Sequence, residues 1–474
     1  MAVTNNAYVN LGSRLESLHS KTCAVDRAHW VPSENGEKVL TFYELDNIEH
    51  DTINRYLSSL VERSLMELND SYCLEIGEDN RSISPLTLGR VASYYYLKHT
   101  TVRGFCDTMK ADCSVPHLLE ILSNASEFAE LPVRHNEDQT NAELADRVPL
   151  QVNRHALDSA HTKTHILLQA HFSHVDMPSS DYSTDTKSVL DQAIRVLQAM
   201  LDVSADQGWL VTTLNVVQLL QMVIQARWDD QSSLLTLPHL QQHHLYCFRP
   251  RGAGARPKGF PDMRGPVESL PELAEICGGR REVLDALLGA EMDRTKTEQI
   301  FEVLVALPLV EVEVEVSGWM EGENSSTSRA LNIWHRGGRR PDSEWVPLHA
   351  DQEYVLNICL RCLNKPQQRK DQKAHAPRFP KPKDEGWILV VGDIEAKEVL
   401  ALKRVSPLRG GARGTRAQIA LLTPPTPGRV VYTLYLLSDA YLGLDQQFDL
   451  CFDILPASVE AQVNSELRDL DLDS

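Results

Sequence analysis

FEVLVALPLVEVEVEVS (301–317) is the stretch on which the fold turns. Its first half closes a run of apolar residues at helical spacing. From Leu309 onward Val and Glu alternate, the period-two pattern of a strand buried on one face. Toward the C-terminus the same signature returns in EYVLNICLRCL (353–363), GWILVVGD (386–393), EVLALKRVS (398–406), AQIALLTP (417–424), RVVYTLYLLSD (429–439) and QQFDLCFDIL (446–455). Short strands separated by Pro-rich turns predict an all-β unit over 309–456, a sandwich of immunoglobulin or fibronectin type. Beyond it, 457–474 is an acidic tail.

Toward the N-terminus the pattern is helical. ESLPELAEICGGRREVLDALLGAEMDRTKTEQIFEVLVALP (268–308) reads as two short helices joined at Gly278-Gly279, a helix–loop–helix. It is divided from what precedes by RPRGAGARPKGFPDMRGP (249–266), too rich in Gly, Pro and Arg for a regular element. Residues 83–248 then read as a helical bundle, with helices at 84–109, 114–128, 141–148, 159–175, 184–208 and 209–228. In the helix 184–208, Val189, Ala193, Val196, Leu197, Met200 and Leu201 form the packing face, and Gly208 marks the stop. A further helix over 50–76 carries a stripe of Ile53, Leu57, Leu60, Val61, Ser64, Leu65 and Leu68. Residues 14–49 show little periodicity and read as a disordered or artefactual insert.

Composition narrows the function. The 474 residues are 42% hydrophobic and 24% charged, ordinary for a folded multidomain chain. A net charge of −19 excludes a uniformly basic nucleic-acid sleeve. The longest apolar runs are about half of what a membrane span needs, and no signal peptide opens the chain, so it reads as soluble and intracellular with no membrane partner. Nine cysteines are too sparse for a disulfide framework. Cys359-Leu-Arg-Cys362 falls in a predicted strand, where positions three apart face opposite ways.

Absent motifs argue against catalysis. There is no G-x-x-x-x-G-K-[ST] phosphate loop, no G-x-S-x-G elbow, no H-E-x-x-H pair and no dinucleotide glycine fingerprint. No catalytic residue, metal site or cofactor is expected. His161, His165, His171 and His174, and again His239, His243 and His244, cluster without carboxylates in a catalytic pattern, and read as packing and capping residues.

Charge is more informative. Between Arg329 and Arg416 lie 18 Lys/Arg against 10 Asp/Glu. The densest piece, KPQQRKDQKAHAPRFPKPK (365–383), holds Lys365, Arg369, Lys370, Lys373, Arg378, Lys381 and Lys383. Its prolines keep it extended, as a solvated loop or as a contact for phosphates or an acidic surface.

Several strings together resemble a known family: SPLTLGRVASYYYLKHTTV, ELPVRHNED, KTHILLQAH, TDTKSVLDQAIRVLQAMLDVSADQGWL, PRFPKPKDEGWILVVGD and YTLYLLSDAYLGLDQQFDL. They are similar to the C-terminal Sec sixty-three homology region of large superfamily-two helicases with twin cassettes. The resemblance covers about residues 50–465. It implies a winged-helix remnant over 1–82, followed by the bundle, the helix–loop–helix and the immunoglobulin-like sandwich. Its implied function is a non-motor module that guides single-stranded DNA or RNA in the full-length context. Implied partners are the other subunits of a signal cointegrator complex, and the implied location is nucleus and cytosol. In relatives one bundle helix lies along the strand path as a ratchet; the matching helix is 184–208, with Arg195 and Asp202, two helical turns apart, as contacting positions. The plain alternative pairs Arg195 with Asp191. Both motor domains of a cassette are missing from this chain, so the family's helicase activity is not expected to reside in it. The alternative function is a purely protein-interacting scaffold.

Overall fold

The computed structural model describes residues 50–79, 81–250, 261–263, 265–319, 328–331, 334–335, 345–364, 372–405, 408 and 414–458. The expected insert 14–49, most of the linker and all but the first two residues of the acidic tail lie outside them.

The first helix, α1 (His50–Asp70), shows the expected stripe: Leu57, Leu60, Val61, Ser64, Leu65 and Leu68 are all half-buried. The helix ends earlier than the pattern predicts. The chain turns at Tyr72 (φ +54°) into a two-stranded ribbon, β1 (Leu74–Ile76) and β2 (Ile83–Pro85).

The single helix expected over 84–109 is two, α2 (Thr87–Tyr94) and α3 (His99–Thr108). The break has a backbone cause. Tyr96 takes the left-handed conformation (φ +53°), Tyr96 N–H donates to Ser93 O and Leu97 N–H to Ala92 O. That is a Schellman stop with tyrosine where glycine is usual. After α4 (Val115–Ser123), α5 (Glu137–Ala145) and α6 (Ala160–Phe172) comes the long α7 (Ser180–Asp206). It starts four residues before Thr184, because the Ser179 side chain accepts from Tyr182 N–H and caps the first turn. Asp185 therefore lies inside the helix and is buried. The whole predicted packing face, from Val189 to Leu201, is buried. Gly208 (φ +75°) turns the chain into α8 (Leu210–Gln225).

The segment 268–308 holds three helices rather than two: α9 (Leu270–Cys277), α10 (Arg281–Leu288) and α11 (Arg294–Ala306). The second break is made by Asp293, whose carboxylate accepts from Lys296 N–H as an N-cap.

All seven expected strands are present: β3 (Val310–Ser317), β7 (Glu353–Cys362), β8 (Trp387–Asp393), β9 (Glu398–Val405), β10 (Thr415–Leu422), β11 (Gly428–Ser438) and β12 (Gln446–Leu455). Three short ones add to them, β4 (Ser328–Leu331), β5 (Trp334–His335) and β6 (Val346–His349). One sheet has the order β10-β7-β3-β4; the other is β5-β12-β11-β8-β9, with β6 pairing in parallel to β12. The remaining pairs are antiparallel. On β3, Val310, Val312, Val314 and Val316 point inward and the glutamates outward.

Helices and sheets are joined by specific bonds. Leu210 N–H donates to Lys397 O at 3.2 Å and Val399 N–H to Gly208 O at 2.9 Å, which draws Trp209 into a bridge with Glu398 at the β9 edge. From α8, the Gln221 and Gln225 amides donate to Ser438 O and Ala440 O, each at 2.7 Å. Buried apolar residues from Cys73 to Ile454 form one continuous cluster through both parts.

Candidate nucleic-acid interface

Helix α7 is fixed at its first half by a buried ionic cluster. Lys163 of α6 is fully buried, and its ammonium donates to Glu137 Oε2 (2.6 Å), Asp185 Oδ2 (2.7 Å) and Pro132 O (2.8 Å). The Arg134 guanidinium reaches the same two carboxylates, at 2.9 Å to Glu137 and 2.7 Å to Asp185. Burial alone would raise both carboxyls. The hydrogen bonds from Lys163 and Arg134 outweigh it and hold both below the usual carboxylate range. Two separate segments, residues 132–137 and α6, are thus locked onto the helix that the sequence singles out.

The second half of α7 presents its outer edge. Arg195 and Asp202, two turns apart, both meet Tyr95. Arg195 Nη1 donates to Tyr95 O (3.2 Å) and Tyr96 O (2.8 Å), while its Nε donates to Gln192 Oε1 (2.8 Å). Tyr95 donates its hydroxyl to Asp202 Oδ2 at 2.7 Å, and burial, then that bond, pushes the phenol above its usual range. The pairing of Arg195 with Asp191 does not occur. Asp191 is taken by Lys381, 2.6 Å away. Among the described residues, no carboxylate lies within ion-pair reach of Arg195 and its Nη2 has no hydrogen-bond partner.

Strand β9 contacts the same half of α7. Arg404 pairs with Asp202 at 2.5 Å and donates to the Gln198 side chain at 3.0 Å. Sequence reasoning missed Arg404, because it sits within an alternating strand rather than in the basic run. It also missed Tyr94 and Tyr96, 73% and 75% exposed at the end of α2. Three consecutive tyrosines at a helix stop were the available signal.

The basic segment divides. Lys365, Arg369 and Lys370 lie outside the described residues. Lys381 reaches α7, whereas Lys383 pairs with Asp439 at 2.6 Å. Lys373 forms a backbone bridge with Asp384. Arg378 stands by His171 and His174, where its charge weighs on both rings.

The histidines tie helix ends together through backbone carbonyls: His161 to Ser123 O (3.0 Å), His171 to Val223 O (2.9 Å) and His174 to Ala226 O (2.7 Å). Burial lowers His171 to about 4 and lowers His174 and His165. These groups are neutral when folded and gain protons on unfolding. Their contribution is therefore complete above the ordinary histidine value near 6.5 and is lost as pH falls below it, that of His171 down to about 4. Glu137 and Asp185 add a second loss below the usual carboxylate range. The melting midpoint should fall in both windows, and His171→Gln should flatten the first. A midpoint unchanged between pH 6.5 and 4 would contradict the assignment.

Comparison with known proteins places this geometry in context. The Sec63 Brl domain family matches residues 85–451. Activating signal cointegrator 1 complex subunit 3 of Gallus gallus is 50% identical over 430 residues, 90% of this chain and 19% of that protein. Its Homo sapiens counterpart is 49% identical over 442 residues, again 90% and 19%. The Homo sapiens U5 small nuclear ribonucleoprotein 200 kDa helicase is 31% identical over 452 residues, 94% of this chain and 18% of that protein. The chain spans about a fifth of the length of these curated relatives.

Proposed function

The chain belongs to the Sec63 Brl domain family, and from that premise we propose that it is the non-motor accessory module of a nucleic-acid helicase, with α7 guiding a single strand. In this reading it hydrolyses no nucleoside triphosphate itself, and it works in nucleus and cytosol beside the other subunits of a signal cointegrator complex. The finer fold labels belong to the same proposal. The two sheets are read as an immunoglobulin-like sandwich, supported by their antiparallel strands, and the segment before residue 83 as the end of a winged helix.

One observation carries the reading. Arg195 presents a guanidinium without a carboxylate partner among the described residues, and with Nη2 open, on the outer edge of a rigidly anchored helix. Such a group suits a phosphate. Asp202, neutralised by Arg404, shapes the same edge, and Lys373, Arg378, Lys381 and Lys383 extend the basic surface. The test is oligonucleotide affinity across a salt series, since each phosphate contact releases counterions and steepens the slope.

Arg195→Ala should lower single-strand affinity about tenfold. It should also destabilise by about 1–2 kcal/mol, because the guanidinium holds two carbonyls and is not a freely solvated side chain. Arg195→Lys, which keeps the charge but not the fork, should retain most of the affinity. Normal affinity in Arg195→Ala would remove α7 from the strand path.

A scaffold that binds only proteins has one observation in its favour. Lys381, Lys383 and Arg404 are already neutralised by Asp191, Asp439 and Asp202. A flat salt series would select that reading.

A further inference from the structure

The turn between α2 and α3 holds an unusual arrangement. Tyr96 occupies the left-handed position of the Schellman stop (φ +53°), where a β-carbon costs roughly 1 kcal/mol and glycine is the common solution. Tyr72 fills the equivalent position after α1, but there the Arg103 guanidinium lies over the ring, 4.4 Å from its centroid. Among the described residues the Tyr96 ring has no such cover and is 75% exposed. Two residues back, Tyr94 is 73% exposed and stands roughly perpendicular to the Tyr95 ring, the centroids 4.8 Å apart.

The surroundings hold this strained turn in place. Leu97 N–H closes on Ala92 O at 2.8 Å and the Leu97 side chain is buried. Arg195 Nη1 grips the carbonyls of Tyr95 and Tyr96, and the Tyr95 hydroxyl is fixed on Asp202. A strained residue held from several sides, with its apolar ring turned to solvent, does nothing for the core, and such strain persists where a site uses it. Two exposed aromatic rings thus flank a turn held by a guanidinium that lacks a carboxylate partner among the described residues. This combination is complementary to a ligand that is both flat and anionic, a run of nucleotides.

We infer that Tyr94 and Tyr96 form a two-ring platform on which successive bases of a single strand stack, and that Arg195 is its positioning residue as well as its phosphate contact. The inference rests on the strand-guiding reading above and adds to it the atoms that hold the bases. Stacking engages the π-face of any base, so the platform favours single strands without selecting sequence.

The test uses the whole chain, with fluorescent oligothymidylate and a sugar–phosphate strand of the same length without bases. Wild type should bind oligothymidylate on the order of a hundredfold more tightly than the baseless strand, about tenfold per stacked ring. Tyr96→Gly combined with Tyr94→Ala should remove most of that difference and leave the baseless strand's affinity unchanged. Tyr96→Phe should retain it. Because glycine relieves the backbone at position 96, Tyr96→Gly should melt at or above the wild-type temperature, so lost affinity cannot be ascribed to misfolding. Salt-dependent binding that ignores the bases, or that survives the double substitution, would overturn the platform while leaving the strand-guiding reading intact. Absence of salt-dependent binding in wild type would overturn both. If the double substitution instead abolished binding of an acidic peptide and spared the strand, the rings would be a protein contact and the inference would fall.

Discussion

Lys163→Met should cost about 3–5 kcal/mol of stability, the largest loss expected of any single change considered. Methionine fills nearly the same space, so packing is conserved and electrostatics is the main quantity altered. Removing the ammonium leaves Glu137 and Asp185 sharing Arg134 alone, and leaves the Pro132 carbonyl without its 2.8 Å donor. Breaking a buried ion pair from one side is costly because the remaining charge stays desolvated. Combining Lys163→Met with Glu137→Gln removes the surplus negative charge and should recover part of the loss, a non-additive result expected of residues in one network. Chemical denaturation of the three variants measures both quantities. A Lys163→Met protein as stable as wild type would show that the cluster is not an anchor for α7.

Gly89→Ala should destabilise by about 2–3 kcal/mol, although alanine is the better helix former. Gly89 lies in α2 directly against the start of the ribbon. An added β-carbon would sit 2.0 Å from the Cys73 carbonyl oxygen and 2.8 Å from its carbon. Backbone cannot swing aside as a side-chain tip can, so α2 would have to shift as a unit, and its C-terminal turn carries Tyr94, Tyr95 and Tyr96. Strand affinity should fall along with the melting midpoint. Propensity alone predicts a gain approaching 1 kcal/mol; a more stable Gly89→Ala variant would show that the close approach of α2 to Cys73 is absent in solution.

The parts of the fold set by local periodicity were legible in the sequence. The α7 stripe and the seven strands each repeat within a dozen residues or so, and the structure buries the stripe and forms all seven strands. The break at Tyr95-Tyr96 was not, because apolar spacing runs on from Val91 through Leu97 to Val102 and only the backbone conformation at one residue interrupts it. The ionic cluster was hidden for a different reason. Lys163 looked like an interruption between two histidines, and its partners Arg134, Glu137 and Asp185 come from segments that only the tertiary fold brings together. Of the site itself, Arg195 and Asp202 came from family resemblance. Arg404 and the open tyrosines required the neighbouring walls to be seen.

The bridge between Trp209 and Glu398 also bears on how this chain can be divided. Strand β9 ends the larger sheet, and a terminal strand offers unpaired amides and carbonyls that can recruit another chain. Here the α7–α8 corner pairs with the start of that edge through Gly208 and Leu210, and Arg404 farther along is tied to Gln198 and Asp202. The helices thus act as a guard against self-association, assisted by the exposed charge of Lys403. A cut before residue 309 would remove the guard and bare the edge, favouring aggregates over a clean monomer. A soluble fragment of the β-unit should therefore keep α7 and α8, or carry added charge on the outer face of β9.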